Sequence, residues 1–95
     1  MRIKATPEAR SWIREQGGLL FVRLSRVLSA RGAMRSLLVS TEPPPDAFDY
    51  QRFETRGFVL FLQPGVIPPN EMHVEVVGRV KRRLAAFWNG CAYVV

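Results

Sequence analysis

Two apolar runs separated by a few small residues constrain this chain more than anything else in it. Leu19-Leu20-Phe21-Val22-Arg23-Leu24-Ser25-Arg26-Val27-Leu28 is rich in aliphatic and β-branched residues, and so is Met34-Arg35-Ser36-Leu37-Leu38-Val39-Ser40. Between them lie Ser29-Ala30-Arg31-Gly32-Ala33. Strand-forming runs flanking a short segment with one glycine predict a β-hairpin, here from Leu19 to Thr41. Side chains alternate between the faces of a strand, so Leu20, Val22 and Leu24 share one face and Phe21, Arg23 and Ser25 the other. Unbroken apolarity over Leu19–Val22 implies cover on both faces at that end. Arg23 and Arg26, on opposite faces, imply that further along at least one face opens to solvent or to a partner.

The hairpin follows a helix. Thr6 is placed to cap it, Pro7 suits the first helical position, and Glu8 meets the positive end of the helix dipole. Ala5, Ala9, Trp12, Ile13 and Gln16 fall on one face at helical spacing, which makes Trp12 a core residue. Gly17-Gly18 stops the helix, because glycine enters the left-handed conformation without a Cβ clash. Before the helix, Met1–Ala5 alternates as a short edge strand.

Glu42-Pro43-Pro44-Pro45-Asp46 reads as a stiff extended connector. Phe48–Thr55 is expected to be a strand, and Arg56-Gly57 a turn. Phe58–Leu62 should return antiparallel to it and lie centrally, being the most apolar run. Gln63-Pro64-Gly65 is a turn, and Val66–Asn70 a loop. Met72–Val77 alternates, with Met72, Val74 and Val76 inward and His73 and Glu75 outward. Gly78 marks a bulge or a close approach of backbones. Lys81-Arg82-Arg83 falls on a loop or strand edge. Leu84–Trp88 and Cys91–Val95 flank Asn89-Gly90, a hairpin-turn pair. The expected class is α+β, with about seven mostly antiparallel or mixed strands and one N-terminal helix.

A length of 95 residues suits a single domain spanning 1–95. The one cysteine, Cys91, cannot form an internal disulfide, which points to a reducing, cytoplasmic setting. The N-terminus has no apolar h-region, so no secretory signal is expected. No apolar run approaches the ~20 residues needed to cross a bilayer, so no membrane association is expected.

The order of these pieces resembles the HesB/IscA-like domains, the iron–sulfur biosynthesis fold. The resemblance runs through Ile3-Lys4-Ala5-Thr6-Pro7-Glu8-Ala9, Trp12-Ile13, Gly17-Gly18 and Val22-Arg23-Leu24. It continues in Tyr50, Phe53-Glu54, Gly57-Phe58-Val59-Leu60-Phe61, Pro64-Gly65 and Val74-Glu75-Val76. It is strongest to the branch with a paired cysteine, or cysteine–selenocysteine, motif after the first long strand. The resemblance implies thiolates in the turn at about Leu28–Ala33, where this chain has none. Iron–sulfur clusters are held by thiolates, typically four, so the fold carries over, while no metal site and no cofactor does.

His73 and Cys91 are the only histidine and cysteine. A Cys–His pair is a nucleophile only if the two meet and a third group orients them. Free cysteine more often packs as a small hydrophobe. Asp46, Asp49 and Glu54 have no reason to converge as a carboxylate pair, and no glycine-rich phosphate loop is present. No enzyme is expected.

The net charge is +6, and twelve of the fourteen basic residues are arginine. Arg23, Arg26, Arg31 and Arg35 belong to the hairpin, while Arg79, Lys81, Arg82 and Arg83 form a second group. On one shared face they would bind anions, nucleic acid or an acidic protein. Charge runs are more usually solvated faces paired with Glu and Asp. The aromatics sit mostly in apolar runs and read as core rather than as an RNA-binding platform. The expected function is therefore a non-enzymatic HesB-like protein that lacks the cluster cysteines and binds a protein partner or self-associates. A small basic nucleic-acid-binding module is the alternative.

Overall fold

A computed structural model of the chain describes residues 1–29 and 32–88, with the side chains of 25–29 and 32–36 left out of the description. Its elements follow the order β1 (Arg2–Ala5), α1 (Pro7–Glu15), β2 (Leu19–Ser29), β3 (Gly32–Ser40), β4 (Gln51–Thr55), β5 (Phe58–Leu62), β6 (Glu71–Val77) and β7 (Arg83–Phe87). This is the α+β class expected. The strands form two mixed sheets, ordered β1-β6-β7 and β3-β2-β5-β4. β1 runs parallel to β6, with Arg2 opposite Glu71 and Ala5 opposite Val74. β2 runs parallel to β5 over Leu19–Val22 only, and antiparallel to β3 over Phe21–Ser29. β5 is central, β1 lies at an edge, and β4 is the antiparallel neighbour of β5.

The helix is bounded as its sequence predicts. Ala9 N–H donates to Thr6 Oγ1 at 3.2 Å, and Pro7 occupies the first turn, where its missing N–H costs nothing. At the far end Gly18 N–H donates to the Ile13 carbonyl at 2.9 Å, and both glycines have positive φ. Ala9 and Ile13 enter one core cluster with Leu20 and Val22 of β2, Phe58, Leu60 and Leu62 of β5, Met72 and Val74 of β6, and Ala86 of β7. Both sheets and the helix thus share a core.

The outer face of the larger sheet is also covered where Leu19–Val22 requires it. Phe21 stacks on Phe61 with ring centroids 4.9 Å apart, and Tyr50 meets Phe21 edge-on at 6.0 Å. Burial raises the Tyr50 pKa above its ordinary 10.0, Asp46 adds to that, and Arg23 opposes it.

Several expectations are corrected. Trp12 is half-buried and stands outside the core cluster; Ala9 and Ile13 carry that face of the helix, and Gln16 is exposed. The strand expected from Phe48 begins at Gln51, because Ala47–Asp49 is a 3-10 turn. Its cause is local. Ala47 N–H donates to the Pro44 carbonyl, so the prolines turn the chain where an extended connector was expected. Phe48, carried on that turn, is 88% exposed and is no core residue. His73 and Glu75 are half-buried rather than fully outward. Of the two readings of Gly78, the close approach is the one found: a Cβ there would clash with the Lys81 carbonyl oxygen, and φ is +99°. The hairpin expected at Asn89-Gly90, and Cys91, lie outside the described residues.

Candidate functional site

Beyond Val22 the larger sheet narrows to two strands. β5 ends at Leu62, and the chain then turns at Gln63. Gln63 N–H donates to the Val22 carbonyl at 3.0 Å, and Leu24 N–H donates to Gln63 Oε1 at 2.9 Å. The amide side chain thus takes the next ladder position after the strand itself has left. From Leu24 to Ser29, β2 has only β3 beside it, so β2 and β3 leave the body as a two-stranded arm. Four of the seven predicted site residues belong to this hairpin. Arg23 is exposed at the root of the arm. Arg26 and Arg35 are register partners within it, and Arg31 lies outside the described residues.

The second basic group sits on the turn between β6 and β7. Lys81 and Arg82 precede β7, Arg83 is its first residue, and all three are exposed. A guanidinium nitrogen of Arg82 forms an ion pair with Glu8 in the first turn of α1.

Two hollows show how the groups relate. One of about 260 Å³ is lined by Phe21, Arg23, Ser40, Glu42 and Pro43–Pro45. The other, about 410 Å³, is lined by Trp12, Val39–Glu42 and Arg82–Leu84. Ser40 and Glu42 line both, so the C-terminal end of β3 separates Arg23 from Arg82 and Arg83. Trp12, placed in the core by its helical spacing, instead forms a wall of the second hollow. The signal that distinguishes it is its neighbour in spacing, Ile13, which already fills the core.

On the smaller sheet, Lys4 faces His73 across the β1–β6 register. Glu71 Oε1 lies 2.7 Å from His73 Nε2, and Glu71 Oε2 lies 3.6 Å from Lys4 Nζ. The His73 ring stacks on Phe87 at 5.2 Å. These partners account for His73 as a structural residue. Glu54 pairs with Arg52. No cluster of three or more His, Cys, Asp or Glu residues fit to hold a metal occurs among the described residues. Nor is any helix among them long and apolar enough to cross a membrane.

Comparison with known proteins adds the following. The sequence model described as "CC/Se motif containing family" matches residues 1–85. No curated protein matches the chain significantly. Among solved structures, Escherichia coli SufA, described as involved in biosynthesis of iron–sulfur clusters, aligns at 22% identity over 96% of this chain and 87% of its own, with a TM-score of 0.47. IscA with a [2Fe-2S] cluster aligns at 13% identity over 90% of this chain and 80% of its own, with a TM-score of 0.45. Family membership stands on the sequence match and not on these likenesses of shape.

Proposed function

The chain belongs to the CC/Se motif containing family, and from that premise we propose that it is a non-enzymatic HesB-like protein that carries no cluster and acts by binding a protein partner or by self-association. One observation supports this reading above the others. Where the HesB resemblance implies thiolates, the sequence is Leu28-Ser29-Ala30-Arg31-Gly32-Ala33, and the chain has one cysteine in all. A cluster typically takes four thiolates, so one chain supplies too few and so do two. The donor set does not fit an iron–sulfur cluster. What the site retains is a strand pair that continues beyond the end of β5, with arginine in its sequence.

Nucleic-acid binding gains no such support. In the second basic group, Arg82 is paired with Glu8, and Glu42 lines the hollow beside Arg83.

Anaerobic reconstitution with iron and sulfide tests the reading: no stoichiometric visible chromophore should form, and a stable cluster per chain or per dimer would overturn it. Sedimentation across a concentration series, with cross-linking in native cells, should find a dimer or a defined protein partner. Strictly monomeric behaviour without a partner would remove the binding half of the proposal. Binding to DNA or RNA that falls steeply with salt would favour the alternative.

A further inference from the structure

Resting on that reading, we infer that the outer edge of β3, from Ala33 to Leu37, takes up an extended acidic segment of a partner protein as an added strand. In an antiparallel pair, directly opposite residues either exchange backbone hydrogen bonds with each other or both turn their N–H and C=O groups away. Leu24 N–H is spent on Gln63, on the side away from β3. Leu24, Arg26 and Leu28 therefore turn their backbone groups away from β3, and so do their register partners Leu37, Arg35 and Ala33 away from β2. β3 is the last strand of its sheet. Among the described residues, that edge carries a row of donors and acceptors with no neighbouring strand.

The two sides of the arm differ. β2 is stopped at its root by Gln63. β3 has no such stop: it contains neither proline nor lysine, the usual guards of an exposed edge. Its body end runs into the Trp12 hollow instead. β7 lies beside it there but belongs to the other sheet.

Charge selects the occupant. Arg35 is at the centre of the free edge, and Arg79, Lys81 and Arg83 are exposed on the β6–β7 turn that leads into the hollow. Against them stands Glu42, because Glu8 is taken up by Arg82. A second copy of the chain, paired edge to edge about a two-fold axis near Arg35, would set arginine against arginine, which destabilises a strand pair. A nucleic acid cannot continue a backbone ladder. An extended peptide with carboxylates meets both requirements.

A short synthetic peptide alternating glutamate and valine, with a lysine-for-glutamate version as control, provides the probe. The glutamate peptide should bind, should weaken with salt, and should slow amide exchange at Arg35 and Leu37. The lysine peptide should not bind. Arg83→Glu should weaken binding roughly tenfold. Arg35→Pro removes the outward N–H at a position where β2 needs no donor, and should weaken binding roughly tenfold beyond Arg35→Val, which removes only the charge. If Arg35→Pro fails to fold, the exchange measurement on the unaltered chain decides alone. Equal binding of both peptides, or unchanged exchange at Arg35 and Leu37, would overturn the inference. If the peptide fails while cross-linking in cells still finds a partner, the ladder is wrong and the proposed function stands; if both fail, both fall.

Discussion

The body of the molecule and the β2–β3 arm are built from similar residues and stabilised by different means. In the body, Leu20, Val22, Leu60 and Leu62 are closed in by a helix and a second sheet. At the root of the arm, opposite Arg23, Leu38, equally apolar, is 45% exposed. Apolar character therefore does not tell the two apart. What separates them is where β5 ends, because Phe21 and Val22 of β2 have a strand on each side and from Arg23 onward β2 has β3 alone. A two-stranded ribbon is marginal by itself, so the arm draws its order from the body and from whatever it meets.

The sharpest way to break this contrast is to delete the same side chain in each region. Leu60→Ala, at a fully buried position, should cost about 2–5 kcal/mol in denaturant unfolding. Leu38→Ala should cost no more than about 0.5 kcal/mol. Similar losses at the two sites would mean that the arm is packed as firmly as the body. Gln63→Ala tests the boundary. Removing the acceptor of Leu24 N–H should cost about 1 kcal/mol and speed amide exchange at Leu24. An unchanged exchange rate there would show that the arm needs no stop at its root. The smallest effect is on alkaline stability. Burial raises the Tyr50 pKa, so the unfolded chain loses that proton first. Stability is full below the unfolded value of 10.0 and falls as pH rises from there through the folded value. Tyr50→Phe should flatten that part of the pH profile, and an undiminished fall would assign it to other groups.

Much of this architecture can be read from local signals. Thr6-Pro7 and Gly17-Gly18 each mark a feature by chemistry that acts within a few residues, and each is where it is expected; in β6 Met72 and Val74 are buried as expected, while Val76 is half-buried like His73 and Glu75. The errors fall where a residue's role depends on distant chain. Trp12 has the spacing of a core residue, but Ile13 beside it fills the space and leaves Trp12 to wall a hollow. Phe48 has the look of a strand's first residue, and the turn that follows Pro44 carries it into solvent. Gln63 reads as an ordinary turn residue, and its role as the end of the ladder exists only because β2 outruns β5. Of the candidate site, the hairpin that carries Arg23, Arg26 and Arg35 is legible. The division of the two basic groups by the end of β3 is not, since it depends on how two separate sheets approach each other.

The parallel pairing of β1 with β6 has a consequence for how the chain is made. Arg2 finds its partner at Glu71, so during synthesis the opening segment must wait for most of the polypeptide to emerge. The β2–β3 hairpin, by contrast, can form from neighbouring residues as soon as both strands are clear. Contacts so far apart in sequence form late. The projecting element is thus assembled early, and the end of the chain that appears first is secured among the last.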